Sequence, residues 1–401
     1  MIHMQQNFNK LQFLVGNQET LEHANEIPVK EVLDNRVIDF LGDLSKQILK
    51  DPRVKSYPDV VTYAFWIRKN ALLKMKERYA SEFLRVGRGM AFHIAPSNVA
   101  VSFALSFTSA LLAGNASVVR VSNKAFVQVE IIADAISALY DTEYSDMKPY
   151  LTLVRYEHDE EITQALSDIC DIRIIWGGNQ TIEIIRKASL KPRAVELTFA
   201  DRHSIALIDA DVYLSGNSEA ITKDFYLDSY YSDQNACSAP RIVVWTGTQK
   251  DKAKQMFWSC LRQQVEKEYE FKPIMAIDKL TALCRLAAEH DNIAELVEQD
   301  NKMCRVRLKK LIPELMDYKT GGGYFFEYDA EDLREIIPIL GKSCQTVGYY
   351  GIDPIEIKKL LFETNVRGID RIVPLGHTMD LSVIWDGYNM LDTMSRVVDI
   401  F

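Results

Sequence analysis

The feature that most constrains the fold of this chain is an uncharged stretch, Met90–Val119, which contains no Asp, Glu, Lys or Arg. A single helix of that length could span a bilayer. However, Pro96-Ser97-Asn98 interrupts the stretch early and Gly114-Asn115 interrupts it late. Two short buried strands around one buried helix explain the pattern better than a membrane span does.

The strands are predicted at Met90–Ala95 and Ser117–Val121, and the helix at Val99–Ala113. Phe103, Phe107 and Leu111 share one face of that helix. Gly114 is placed to end it, because glycine readily adopts the left-handed conformation found after helix C-termini.

The strand–helix–strand pattern then repeats, which predicts parallel strands joined by right-handed crossovers. Apolar strands separated by helices indicate an α/β fold with a doubly wound sheet, a common site for a nucleotide cofactor. The further strands are expected near 150–155, 171–176 and 193–199, and the helices near 124–140, 160–169 and after Gly178.

Before this series, residues 1–80 are predicted to be mostly helical, because apolar residues recur at three- and four-residue steps. These residues are Val60, Tyr63, Ala64, Ile67 and Ala71.

A second βα series begins after about residue 205. Its helices are expected near 216–229, 250–268 and 278–300, followed by a turn-rich stretch at Thr320-Gly321-Gly322-Gly323. No linker separates the halves. We expect a helical segment and Rossmann-like cofactor domain over 1–203, a catalytic domain over 204–385 and a C-terminal segment over 386–401.

Composition narrows the function. A net charge of −9 and a pI near 5.4 disfavour binding to phosphate backbones, so no nucleic-acid partner is expected. The basic run Arg305–Lys310 is interpreted as the solvated face of a helix. The six cysteines form no CxxC pair and the seven histidines no i, i+4 pair, so neither a disulfide framework nor a metal site is predicted. Met1–Gln6 lacks signal-peptide features, and a cytoplasmic location is expected.

Cys237 is the candidate nucleophile. It lies in the small and polar segment Asp233–Pro240, between a predicted helix and the strand Arg241–Trp245. Such a loop leaves a thiolate reachable and open to stabilisation by nearby dipoles or cations. The other five cysteines are interpreted as structural residues in helical, apolar surroundings.

Two further segments resemble cofactor sites. His93–Asn98 ends a strand and leads into a helix, and Trp176–Thr181 turns from a strand into a helix N-terminus at Gly177-Gly178. Backbone N–H groups and the helix dipole at such a turn can hold a pyrophosphate.

Taken in this order, the segments resemble the aldehyde dehydrogenase superfamily. The resemblance implies that Asn98 is the oxyanion-hole amide, and that Arg120 replaces the lysine that reaches the adenine ribose. It matches Gln234 and Cys237 to the nucleophile loop. The cofactor contacts that it implies are Ala95, Pro96, Ser97, Arg120, Ser122, Lys124, Gly177 and Gly178.

Within the superfamily, the chain resembles the LuxC-type long-chain acyl-CoA/acyl-protein thioester reductases over residues 80–400. The wording that carries this resemblance is Phe92–Val99, Gln234–Pro240, Arg371–Gly376 and Trp385-Asp386-Gly387.

The chain also departs from the superfamily pattern. Hydrolytic members have Glu-Leu-Gly-Gly-Lys, whereas this chain has Glu196-Leu197-Thr198-Phe199-Ala200-Asp201. Glu196 is therefore either a catalytic carboxylate or an ordinary strand-end residue. Gln345 lies in the region where the family's nicotinamide-ribose glutamate segment is absent.

The resemblance implies reduction of a fatty acyl-CoA or acyl-protein to an aldehyde through acyl-Cys237, with NADPH as the cofactor. It also implies an acyl-activating partner protein and a homo-oligomer. A CoA-acylating dehydrogenase acting on short aldehydes is the main alternative. An acyl carrier or transferase without nicotinamide and a catalytically silent subunit are the others.

Overall fold

The computed structural model describes residues 8–79, 83–363 and 365–400. The chain forms two compact units, one of Met1–Ala200 with Leu381–Phe401 and the other of Asp201–Asp380. The domain boundaries at 203 and 385 remain a prediction from the sequence. The segment Met1–Gln6, which was considered above for signal-peptide features, lies outside the described residues. In the described ranges, no helix combines the length and apolarity needed to cross a membrane.

The first unit alternates strands and helices from residue 84 onward. Its strands are β1 Gln12–Val15, β2 Leu84–Gly87, β3 Met90–Ile94, β4 Ala116–Arg120, β5 Leu151–Arg155, β6 Ile172–Trp176 and β7 Val195–Phe199. Its helices are α1 Gln18–Glu22, α2 Asn35–Lys50, α3 Pro58–Trp66, α4 Lys69–Arg78, α5 Ser102–Leu112, α6 Val127–Tyr140, α7 Glu160–Ile169 and α8 Asn179–Ile185.

Six of these strands form a sheet in the order β1-β5-β4-β3-β6-β7. β3 to β7 are parallel, and β1 adds antiparallel to β5. The chain runs outward from β3 through β4 to β5, then returns to place β6 on the other side of β3. This is the doubly wound Rossmann order, with its topological switch point between β3 and β6.

The uncharged stretch forms the centre of this sheet, as predicted. All five residues of β3 are buried, and so is every residue of α5 from Phe103 to Leu112. Gly114 follows the helix with φ of +88°, the left-handed value expected of it. β3 and the helix lack charges because protein surrounds them, whereas Ser97 and Asn98 between them are exposed.

The N-terminal region is mostly helical over residues 18–78, as predicted, but it begins with a strand. β1 is a strand, because Gln12 and Phe13 pair with β5 far along the chain. The prediction that Val60 to Ala71 share one helix face is also wrong at its end. α3 stops at Trp66, and Ala71 is an exposed residue of α4. Because the chain breaks between α3 and α4, each of these two short helices packs against α2.

The second unit contains a seven-stranded sheet. Its strands are β8 His203–Asp209, β9 Pro240–Thr246, β10 Ile293–Gln299, β11 Cys304–Leu308, β12 Tyr324–Asp329, β13 Cys344–Tyr350 and β14 Arg371–Pro374. Its helices are α9 Ala210–Ser215, α10 Ser218–Asp228, α11 Lys250–Glu268, α12 Ile274–Glu289 and α13 Pro354–Leu360. The order is β10-β11-β12-β9-β8-β13-β14, and all pairs are parallel except β10 with β11.

The basic run at 305–310 is not the solvated helix face that the sequence suggested. Its residues 305–308 belong to β11, where Cys304, Val306 and Leu308 are buried, and the two exposed lysines follow the strand. Arg305 on the other face donates to Glu327 at 3.4 Å, and the Glu327 carboxylate also accepts from the indoles of Trp245 and Trp258. The predicted helix 278–300 likewise ends at Glu289, because the residues after it form β10.

The C-terminal segment adds β15 Ile384–Trp385, β16 Tyr388–Asn389, α14 Met390–Met394 and β17 Ser395–Val398 to the first unit. β17 pairs antiparallel with β2. Asn115 fastens this segment, since its side chain donates to the Met394 carbonyl at 3.0 Å and accepts from the Arg88 amide at 2.7 Å. The Gly114-Asn115 motif is therefore structural.

Candidate active site

In the first unit, the predicted cofactor contacts lie at the carboxyl ends of three neighbouring strands. Ala95–Asn98 follows β3, Arg120–Lys124 follows or ends β4, and Gly177-Gly178 follows β6. β3 and β6 flank the switch point, which is where open α/β sheets bind their ligands. The fold thus places these three segments along one edge of the sheet.

The turn after β3 is tied to the turn after β4. The Ala95 amide donates to the Arg120 carbonyl at 3.0 Å, and Lys124 Nζ donates to the Ser97 carbonyl at 2.9 Å. Ser97 and Asn98 are exposed. Ser122 accepts from the Lys124 amide, which shapes the turn that carries the lysine.

Arg120 lies over the ring of Tyr156 at 4.6 Å and donates to the Tyr156 carbonyl at 3.3 and 3.4 Å. These contacts hold the guanidinium at the strand end without using a carboxylate. With Lys124 nearby, two cations lie at the edge where phosphates of a dinucleotide are expected.

Gly178 is the N-cap of α8, and no side chain caps that helix. The N-terminus of this helix therefore faces the carboxyl edge of β6, where backbone N–H groups and the helix dipole favour an anion. A Cβ on Gly177 would meet the side chain of Thr181 at 3.0 Å, which leaves little room for anything larger than glycine. The donors and cations of this edge fit a dinucleotide phosphate.

A buried polar chain lies beneath this edge. The Trp176 indole donates to Ser106 Oγ at 2.9 Å, Ser106 Oγ bonds to His93 Nδ1 at 2.7 Å, and His93 Nε2 lies 3.3 Å from Ser117 Oγ. Burial lowers the pKa of His93 to about 3, so the ring is neutral at physiological pH. His93 therefore joins β3, β4 and α5 and, through Ser106, reaches β6.

Glu196 lies away from the predicted cofactor contacts of the first unit. It is the second residue of β7, away from the carboxyl end of that strand. Its carboxylate is held by Arg173 at 2.9 and 2.5 Å and by Arg186 at 2.7 Å. Both carboxylate oxygens are thus occupied by guanidinium groups, and this position argues against the catalytic role suggested by the sequence.

Cys237 belongs to the second unit, where it precedes β9 on a loop at the amino edge of the sheet. Its side chain is partly exposed. Asp233 and Gln234, which open the loop, both have left-handed backbone conformations with φ of +54° and +55°. Such conformations are costly for residues other than glycine, and the surrounding contacts must maintain them.

Gln234 anchors the loop from inside. Its side chain is fully buried and makes four hydrogen bonds. Nε2 donates to the carbonyls of Pro240 and Tyr324 at 3.1 and 3.2 Å, and Oε1 accepts from the amides of Gly323 and Tyr324 at 2.8 and 2.9 Å. The glutamine predicted from the family motif thus ties the nucleophile loop to the start of β12.

Arg241 was not assigned a role from the sequence. Its guanidinium is buried and donates to the carbonyls of Gln234 and Thr320. It therefore links the loop to the segment Thr320–Gly323. Its position four residues after Cys237 is the signal that could have identified it.

The glycines of that segment permit the close approach. The Gly322 amide donates to the Asp233 carbonyl at 2.9 Å. A Cβ on Gly321 would lie 2.4 Å from the same carbonyl, and Gly323 has φ of +86°. On the other side, Ser204 Oγ donates to the Cys237 carbonyl at 2.8 Å.

Three of the remaining cysteines are buried, unlike Cys237. Burial raises the pKa of Cys170 and Cys344 to about 12 and that of Cys304 to about 11. Cys304 and Cys344 lie in strands rather than in the helical surroundings expected for them. High thiol pKa values suit structural cysteines.

The motif Arg371–Gly376 leads into a loop that contacts the nucleophile loop. Met379 Sδ lies 3.2 Å from Ser238 Oγ. Arg371 donates to the carbonyls of Thr378, His377 and Asp380 at 3.0 to 3.3 Å.

Asp228, at the end of α10, holds the same loop through its amides. Its carboxylate is fully buried and accepts from Gly376 N at 2.6 Å and Thr378 N at 3.1 Å.

The fold defined by these elements is that of the aldehyde dehydrogenases. The chain is similar to an indole-3-acetaldehyde dehydrogenase solved with NAD⁺, with a TM-score of 0.68 and 11% identity over 95% of this chain and 87% of the other. A 1-pyrroline-5-carboxylate dehydrogenase from Thermus with bound NAD gives 0.65 and 12% over 98% and 84%. A 3,6-anhydro-L-galactose dehydrogenase in complex with NAP gives 0.63 and 11% over 96% and 95%.

The chain belongs to the acyl-CoA reductase (LuxC) family, whose model matches residues 23–397. A long-chain acyl-protein thioester reductase of Aliivibrio fischeri is 22% identical over 296 residues, which are 72% of this chain. The match spans 58% of that relative's length. The predicted family and fold class are confirmed.

We predict that Asp228 makes stability depend on pH. Burial raises its pKa from 3.8 to about 6, so its contribution is full below pH 4 and is lost as the pH rises through 6. Between pH 4 and 7, the wild type should lose about 2–3 kcal/mol of unfolding free energy relative to Asp228→Asn. Urea unfolding at a series of pH values measures this difference.

Asp278→Asn is the matched control, because Asp278 is exposed. Its stability difference from the wild type should stay constant over the same range. A constant difference for Asp228→Asn as well would contradict the prediction.

Proposed function

We propose that this protein reduces a fatty acyl thioester, carried on CoA or on a protein, to a fatty aldehyde with NADPH. The observation that carries the proposal is the nucleophile loop. Its cysteine is partly exposed, and buried hydrogen bonds of Gln234 and Arg241 hold the loop in place. Family membership supports an acyl substrate. The length of the acyl chain, the acyl-activating partner and a homo-oligomer are proposed from the resemblance alone.

Cys237 performs the first step. Its thiolate attacks the acyl carbonyl, and the oxyanion is stabilised by the Asn98 amide and by the Cys237 N–H. The carrier thiolate then leaves, and the acyl group stays on Cys237 as a thioester. A thiolate suits this step because it is both a strong nucleophile and a good leaving group.

The residues at the switch-point edge would hold the cofactor. Gly177, Gly178 and the uncapped start of α8 supply backbone donors for the pyrophosphate. Arg120 and Lys124 supply cations for a 2′-phosphate, which favours NADPH over NADH. When bound, the nicotinamide supplies the hydride that reduces the acyl group.

The state of Glu196 supports reduction rather than hydrolysis. Hydrolysis of an acyl-enzyme needs a base that activates water, whereas Glu196 is occupied by Arg173 and Arg186. In its absence the thioester persists until it is reduced. The proposed domains, 1–203 for the cofactor and 204–385 for the acyl group, follow the same division of roles.

We expect tetradecanoyl-CoA to acylate Cys237. Intact-protein mass spectrometry should show one tetradecanoyl adduct, and peptide mapping should place it on Cys237. Addition of NADPH should remove the adduct and release tetradecanal. Cys237→Ser and Cys284→Ser provide the test and its control, since Cys284 is an exposed cysteine on α12.

The wild type without any adduct, or with an adduct that NADPH leaves in place, would contradict the proposal. Acylation restricted to two- to four-carbon acyl groups would favour the CoA-acylating dehydrogenase instead.

Asn98→Ala should slow acylation of Cys237 by about 100- to 1000-fold, the usual cost of losing one oxyanion donor. Rapid-quench measurement of adduct formation gives the rate directly. The exposed Asn70 in α4 offers a control, and Asn70→Ala should keep the wild-type rate. A loss of less than threefold for Asn98→Ala would remove Asn98 from the oxyanion hole.

The cofactor preference should depend on the two cations after β4. Arg120→Ala and Lys124→Ala should each raise KM for NADPH by about tenfold and change KM for NADH by less than twofold, because only NADPH carries the 2′-phosphate. Lys187→Ala, at an exposed lysine of the same unit, is the control. Equal losses for both cofactors would show that these cations do not select between them.

A further inference from the structure

The surroundings of Cys237 contain an unusual concentration of buried positive charge. Arg241 is only 8% exposed, and its two acceptors are uncharged carbonyl groups. Burial lowers its pKa to about 10, and within the described chain Cys237 is the group whose charge raises it. A buried cation without a carboxylate is costly unless another anion lies nearby.

Lys319 brings a second cation to the same place. Its Nζ lies 3.4 Å from the carbonyl of Arg202, two residues before the serine that holds the Cys237 carbonyl. The next residue, Thr320, accepts from Arg241. Lys319 is therefore held between the two contacts that fix the nucleophile loop.

The two cations oppose each other electrostatically. Burial, and then the charge of Arg241, lower the pKa of Lys319, whereas Cys237 raises it. A negative charge on Cys237 thus relieves both of them. By the same reciprocity, both cations favour the ionised form of Cys237.

We propose that Lys319 is a positioning residue that, with Arg241, maintains Cys237 as a reactive thiolate at neutral pH. This inference rests on the proposed role of Cys237 as the nucleophile. Lys319 acts through the sulfur and needs no contact with the substrate. Its amine can do so because it is a point charge on a flexible chain, whereas Arg241 is built into the loop.

The other charged groups around the loop leave this positive field in place. Arg202 is paired with Asp370. Burial lowers the pKa of His203 to about 4, so His203 is neutral at pH 7. Asp201 and Asp317 raise the pKa of Lys319 and so partly offset the lowering that burial causes.

The test measures the reactivity of the thiol itself. Iodoacetamide alkylates a thiolate by forming a sulfur–carbon bond and releasing iodide, after the thiol proton has passed to the buffer. Alkylation of Cys237 is followed by peptide mass spectrometry from pH 5 to 10, so that other cysteines do not contribute. Cys284→Ser removes the exposed competitor.

Lys319→Met should lower the alkylation rate at pH 7 by about tenfold and move the midpoint of the pH profile upward by about one unit. Lys319→Arg, which keeps the charge, should stay within about twofold of the wild type. Lys310→Met is the matched control, because Lys310 is an exposed lysine of the same unit, and its profile should not move. Lys319→Gln gives a second neutral variant if the methionine variant does not fold.

A wild-type profile for both neutral variants, or equal losses for Lys319→Met and Lys319→Arg, would overturn the inference. The result is separable from the proposed function. If Cys237→Ser retained reductase activity, the proposed function would fail even though the alkylation profile had shifted. If Cys237→Ser were inactive and the profile of Lys319→Met unchanged, only the inference would fail.

Discussion

The nucleophile depends on the buried contacts of Gln234 and Arg241. Asp233 and Gln234 adopt left-handed conformations that oppose the preference of L-residues, so the loop cannot hold its shape alone. The side-chain amide of Gln234 donates to the Tyr324 carbonyl and accepts from the Tyr324 amide. The Arg241 guanidinium donates to the carbonyls of Gln234 and Thr320. Losing either would leave buried polar groups without partners, which costs more than the bonds themselves contribute.

The first unit also depends on buried side-chain hydrogen bonds, which there support the cofactor edge. Its edge must present backbone donors and cations while its interior stays closely packed. The chain Trp176–Ser106–His93–Ser117 satisfies the polar groups inside the sheet and connects the strands whose ends form the cofactor edge. Because His93 is neutral, this connection carries no buried charge and adds no dependence on pH near neutrality.

Ion pairing also distinguishes this chain from the hydrolytic pattern of the aldehyde dehydrogenases that it resembles. Glu196 occupies a strand position opposite Arg173, and their register makes the pair unavoidable once β6 and β7 lie side by side. The sequence showed that the glycines around this glutamate are missing. It could not show that two arginines, 10 and 23 residues away along the chain, engage the carboxylate.

Local pattern was sufficient for the elements whose burial is complete. The Met90–Val119 stretch and the C-terminal position of Gly114 can be identified from residue types and spacing, because burial and a tight turn leave few alternatives. Asn98, Gln234 and Cys237 are matched through the family resemblance. Pattern failed for β1, β10 and β11. β1 forms only by pairing with β5 far along the chain, and β10 is the edge strand that pairs with β11. Arg305 appeared to be a surface charge, but β12 brings the Glu327 carboxylate within 3.4 Å of its guanidinium.

The sequence by itself therefore determined the family, the doubly wound fold and the residue that we expect to react. The tertiary structure decided which side chains serve that residue. Ser204, Arg241 and Lys319 meet at the Cys237 loop because they lie at or just before the starts of β8, β9 and β12. These three strands begin at the same edge of the sheet. Electrostatic and hydrogen-bond partners are set by distance in space, and residue spacing along a chain does not encode that distance.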